Sequence, residues 1–169
     1  MIMLKKTLIV MLIIAGVSTA SFAQEKTKTG ISGTIQQNDY GISVPIWMGE
    51  KFVLSPSFMF TSSEGIGSDF GLALAPRFYL SMNKVAPYLG LKAGAIYGMP
   101  PSDDDDAEST IDIMAGVAFG GEYFLSDNFS FGVEIQGNFT KSDDESYRYG
   151  NPGKMSFNTG TAVSATVYF

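Results

Sequence analysis

The sequence predicts an all-β fold: an eight-stranded, antiparallel, up-and-down transmembrane barrel. Three observations lead there. Apolar and polar side chains alternate with period two in eight segments. The connections between those segments alternate between short and long. The polar positions inside the segments are mostly Gly, Ala, Ser and Thr, which suit the packed inside of a narrow barrel better than a water-facing surface.

Residues 1–23 read as a signal peptide that is removed, leaving residues 24–169 as the barrel domain. Lys5 and Lys6 supply the basic start, TLIVMLIIAGV the apolar run, and Ser21-Phe22-Ala23 a small-x-small cleavage site. A retained membrane anchor is the alternative, but the run is short for a helical span of ~20 residues. No Cys follows the run, so lipoprotein processing is excluded. Export combined with a transmembrane barrel would place the chain in the bacterial outer membrane.

The expected strands cover 29–37, 40–48, 52–62, 69–80, 85–98, 110–125, 129–141 and 155–169. Gly49-Glu50-Lys51, Ser81-Met82-Asn83-Lys84 and Ser126-Asp127-Asn128 are tight turns. SSEGIGSD, MPPSDDDDAES and SDDESYRYGNPGK are longer and rich in Gly, Pro and Asp. The first connection, near Asn38-Asp39, is short and departs from this order. Short turns at one end and long loops at the other match an outer-membrane barrel.

The faces repeat from strand to strand. FSFGVEIQGNFT sets Phe129, Phe131, Val133, Ile135 and Phe139 against Ser130, Glu134, Gln136, Asn138 and Thr140. In 69–80, Phe70, Leu72, Leu74, Phe78 and Leu80 oppose Gly71, Ala73, Ala75, Arg77 and Tyr79. Aromatic residues gather near the short turns (Trp47, Phe52, Phe78, Tyr123, Phe129, Phe169) and toward the long loops (Phe58, Phe60, Phe70, Tyr97, Phe139, Phe157). Aliphatic residues fill the band between, as two bilayer interfaces require. Pro45, Pro56, Pro76 and Pro87 fall inside strands, where none can donate to a ladder, and bulges at the rim are the expected remedy. A soluble, exported lipocalin-like barrel is the rival fold. It would turn the apolar face inward and need a polar exterior.

With the apolar face outward, Arg77, Lys92, Glu122 and Glu134 all point inward. A lone charge there is costly, so a lumen network of Arg77 and Lys92 with Glu122 and Glu134 is expected. Gln136, Asn158 and Tyr88 are candidate hydrogen-bond partners.

GGEYFLSDNFSFGVEIQGNF and the terminal TGTAVSATVYF resemble the small outer-membrane β-barrels of Gram-negative bacteria, such as the OmpA membrane domain, OmpX and opacity-type proteins. The resemblance implies a monomer in contact with outer-membrane lipid and lipopolysaccharide, with inward acid–base pairs. It also implies that Ala165, Val167 and Phe169 form the insertion signal presented to the barrel-assembly machinery. Full-length OmpA proteins add a peptidoglycan-binding domain. This chain ends at Phe169, so that function is not expected of it.

Composition narrows the function further. The net charge of −6 argues against nucleic acid as a partner. There is no Cys, hence no disulfide framework, and no His. Barrel enzymes of similar fold depend on His, so no catalytic site and no enzyme activity are expected. No cofactor is implied. Asp103, Asp104, Asp105 and Asp106 with Glu108 are hard-cation chemistry without EF-hand spacing, and no metal site is assigned to them. Tyr147, Arg148 and Tyr149 form a candidate contact surface. The expected function is structural and surface-presenting, with a plugged lumen. Adhesion or recognition through loops 99–109 and 142–154, or a small-solute porin with nearer ten strands, are the alternatives.

Overall fold

The computed structural model describes residues 28–36, 39–101 and 108–169. The expected signal peptide and Asp103 to Asp106 lie outside the described residues. The chain forms nine hydrogen-bonded segments: β1 (Gly30–Gln36), β2 (Asp39–Ser43), β3 (Ile46–Trp47), β4 (Phe52–Ser63), β5 (Gly67–Tyr79), β6 (Val85–Met99), β7 (Thr110–Ser126), β8 (Phe129–Lys141) and β9 (Met155–Tyr168). β2 and β3 are two halves of one stave, parted at Val44-Pro45, so the wall has eight staves. All ladders are antiparallel, in the order β2-β1-β9-β8-β7-β6-β5-β4-β3. β2 also pairs with β4, which closes the ring.

Side chains sort by parity around this ring. Leu74, Leu91, Val117 and Val133 face outward and are about half exposed (48–61%). Ser32, Ser130, Thr140 and Thr166 face inward and are buried. The lipocalin-like alternative needed the reverse. Trp47 departs from the expected girdle. Ile46 faces outward, so its neighbour Trp47 turns inward and is 8% exposed.

The prolines do not produce rim bulges. Pro45 lies in the break between β2 and β3, yet its carbonyl accepts from the Gly30 N–H at 2.9 Å, and Val44 donates to the Pro56 carbonyl at 2.9 Å. Pro76 opens the β5–β6 ladder, which stops at Leu74↔Ala93 and resumes at Arg77↔Gly90. Pro87 keeps its place opposite Gly121, with its carbonyl accepting from Leu80. The register shift in β7 lies instead between Phe124 and Ser126. Nor is SSEGIGSD a long loop. β4 runs to Ser63 and β5 starts at Gly67, and Gly65 and Gly67 have φ of 72° and 117°, so three residues suffice to reverse the chain.

The outward face makes a direct prediction. Val133→Arg should destabilise the protein in liposomes by roughly 2–4 kcal/mol, because its guanidinium would sit in hydrocarbon. Urea unfolding followed by tryptophan fluorescence measures this, and an unchanged midpoint would remove Val133 from the bilayer.

Candidate functional site

The four expected lumen charges lie at two levels of the barrel, and Arg77 pairs directly with Glu134.

At the short-turn end, Glu122 is 2% exposed and takes its hydrogen bonds from hydroxyls. It accepts hydrogen bonds from Tyr79 and Ser130, and from the Tyr168 hydroxyl at 2.7 Å. Three donors replace the water that a buried carboxylate gives up. The rings carrying those hydroxyls pack with Trp47. Trp47 stacks on Tyr79 at 4.9 Å between centroids, and Tyr79 lies 5.3 Å from Tyr88. Trp47, Val53, Tyr79, Ala86, Tyr88 and Tyr168 form one buried cluster, with Phe124 packed against it. Lys28 and Asn128 reinforce this end from outside. Lys28 donates to the Asp127 carbonyl, and the Asn128 amide donates to the Tyr168 carbonyl at 2.9 Å.

One level further in, Arg77 pairs with Glu134 at 3.3 Å, both largely buried. Glu134 also accepts from the Tyr88 hydroxyl at 2.6 Å and from the Gln136 amide. The Arg77 guanidinium lies 4.8 Å from the centre of the Tyr88 ring, so the same tyrosine supports both members of the pair. Gly120 makes this possible, since a Cβ there would come within 2.6 Å of the Tyr88 ring and 2.8 Å of the Glu134 Cβ. Lys92 joins Arg77 and Glu134 in the wall of a cavity of about 200 Å³, with Gln136, Asn138 and Asn158.

At the long-loop end lies a third group of paired charges. Arg148, expected as part of an exposed contact surface, points into the barrel instead. It grips Asp69 with both terminal nitrogens (2.5 and 2.6 Å), while its Nε donates to Asp112 at 2.9 Å. Asp112 is fully buried and also accepts from the Ser146 hydroxyl and the Asp143 N–H, each at 2.9 Å. Hydrogen bonding to Asp69, followed by that to Asp112, raises the Arg148 pKa above the ordinary arginine value against partial burial. Tyr149 lines the cavity beneath, whereas Tyr147 remains 75% exposed. At the other end of the last strand, Ala165, Val167 and Phe169 lie on one outward face, with Val167 and Phe169 exposed.

The reading from sequence omitted Tyr79, Tyr168 and Ser130 around Glu122, and Asp69 and Asp112 around Arg148. Strand parity carried a signal for all five. Tyr79 and Asp69 share the inward parity of Arg77, and Asp112 shares that of Glu122.

The two buried carboxylates should respond differently to neutralisation. Glu134→Gln leaves the Arg77 guanidinium without a counter-charge and should cost about 3–5 kcal/mol. Glu122→Gln leaves only hydroxyls, which can rotate to meet an amide, and should cost roughly 1–3 kcal/mol. Urea unfolding in the same lipid ranks the two, and equal losses would contradict the separation into levels.

No protein-family description matches the sequence, and no curated protein matches it. Solved structures do. The N-terminal β-barrel domain of Pseudomonas aeruginosa OprF is similar at 14% identity and a TM-score of 0.57, over 85% of this chain and 96% of that one. Neisserial surface protein A is similar at 12% identity and a TM-score of 0.54, over 85% of this chain and 94% of that one. At such identities the likeness is one of fold: the chain has the closed eight-stranded fold of the small outer-membrane β-barrels.

Proposed function

We propose that this chain is an outer-membrane barrel with a structural and surface-presenting role, and that its lumen is closed to solutes at the short-turn end. The observation that carries the reading is the Glu122 cluster. Trp47, Tyr79, Tyr88 and Tyr168 occupy the lumen there, and three hydroxyls neutralise the desolvation of the carboxylate at their centre. An eight-stranded ring has room for packed side chains and not for an aqueous channel. The small-solute porin required more strands than the eight staves present.

In this reading residues 1–23 direct export and are removed. The exposed strip of Ala165, Val167 and Phe169 is offered to the barrel-assembly machinery. The apolar belt then meets lipid and lipopolysaccharide as a monomer. No catalytic role is assigned to the buried carboxylates. Recognition through the mouth loop is the second reading. Tyr147 favours it, because Arg148 clamps the loop beneath an exposed aromatic ring.

Heat-modifiable migration and fractionation with the outer membrane test the location. Planar-bilayer recording tests the closure. The unmodified protein should give no resolved channel steps, while Tyr79→Ala with Tyr168→Ala, which removes two rings and two of the Glu122 donors, should give them. Steps from the unmodified protein would replace the structural reading with that of a small-solute porin.

A further inference from the structure

The inward side chains of β8 form a relay with a direction. Glu134 can only accept, so it takes the Gln136 amide nitrogen and leaves the Gln136 oxygen to accept in turn. That oxygen receives the Asn138 amide nitrogen at 3.3 Å. The relay therefore ends on Asn138 Oδ1, an acceptor with no hydrogen-bond partner among the described residues. Asn138 is 3% exposed, so bulk water does not serve it. Ser55 on β4 presents a second such atom. It is 2% exposed, and its Oγ likewise has no protein partner among the described residues. Buried polar atoms are nearly always satisfied, so two of them on one cavity call for a group that meets both.

Both residues line the cavity of about 200 Å³ that also touches Arg77, Glu134 and Tyr149. An engineered cavity of ~150 Å³ holds a benzene ring, so this one has room for a six-membered ring with substituents. Its walls are of two kinds. Ser55, Gln136, Asn138 and Asn158 supply a hydroxyl and amides, while Met59 and Ile96 supply apolar surface. Arg77 meets Glu134 at 3.3 Å, and Lys92 is itself engaged. The unmet demand in this wall is for hydrogen bonds rather than for charge.

We propose that the cavity is a binding site for a neutral, polyhydroxylated ring of monosaccharide size. One hydroxyl donates to Asn138 Oδ1 and another exchanges a hydrogen bond with Ser55 Oγ. The C–H face of the ring lies against Met59 and Ile96. Hydroxyls suit both positions because each can donate and accept. A charged ring would bury its charge without a counter-charge, since Arg77 and Glu134 already pair with each other. Trp47, Tyr79 and Tyr88 fill the lumen toward the short turns, so the ring is held and not passed on. This inference rests on the closed base proposed above.

The test uses the full chain in phosphatidylcholine nanodiscs, with myo-inositol as the probe and saturation-transfer NMR as the readout. Myo-inositol should give a saturable signal with a millimolar Kd. Glucuronate adds a negative charge, glucosamine adds a positive one, and cyclohexanol keeps a single hydroxyl. Each should bind about tenfold more weakly or worse. Ser55→Ala, and separately Asn138→Ala, should each weaken myo-inositol binding about tenfold. Ser55→Ala removes a hydroxyl without a protein partner among the described residues, so heat-modifiable migration should persist in that variant. Ala75→Leu fills the cavity from β5 and should abolish the signal. No saturable signal, equal binding of a charged ring or of cyclohexanol, or unchanged affinity in both polar variants would overturn the proposal. If Ala75→Leu does not fold, the two polar substitutions carry the test. Channel steps from the unmodified protein in a planar bilayer would instead indict the closed base.

Discussion

Hydrocarbon offers no hydrogen bonds, and that constraint organises the molecule. Every backbone N–H and C=O at membrane depth needs a partner in the chain, and for strands only a closed ring provides it. Here the stave made of β2 and β3 closes the ring on β4 through four residue pairs, Ile42↔Phe58, Ser43↔Ser57, Ile46↔Leu54 and Trp47↔Val53, together with the β1–β2 hairpin that leads to it. Once the ring is closed, parity does the rest. Each strand shows one face to lipid and the other to a lumen too narrow for bulk water, so a polar residue inside must be satisfied by its neighbours.

The lumen meets that demand in three ways at three levels. Glu122 is solvated by tyrosine and serine hydroxyls, Glu134 by a guanidinium, a tyrosine and an amide, and Asp112 by an arginine, a serine and a backbone N–H. Ionic pairing is therefore one solution among several. Hydroxyls suit the base because their rings also fill volume. Arg148 suits the mouth because its fork reaches two carboxylates on different strands at once. Between these levels the side chains are shorter, and the cavity remains.

Much of this was legible in the sequence because period two is a strong signal when strands are long. The eight segments, their faces and the inward set of Arg77, Lys92, Glu122 and Glu134 follow from counting alternate residues. The pairing among those four did not follow, since parity gives the face and not the height or the neighbour across the lumen. Trp47 was assigned to the girdle by its type, while the parity set by Ile46 placed it inside. Arg148 sits in a loop, where no period exists, so its reach to Asp69 and Asp112 was invisible. The brief connection near Asn38-Asp39 stood out as irregular, and β1 ends beside it at Gln36.

Everything turns on which face of the strands meets lipid. The most direct measurement is a nitroxide scan of positions 131–139 on β8, one label at a time, in liposomes. Collision rates with molecular oxygen and with a polar nickel chelate report the surroundings of each label. Labels at 131, 133, 135 and 139 should favour oxygen, and those at 134, 136 and 138 should be shielded from it, with a period of two. An inverted pattern, or polar-chelate access at 133 and 135, would contradict the account.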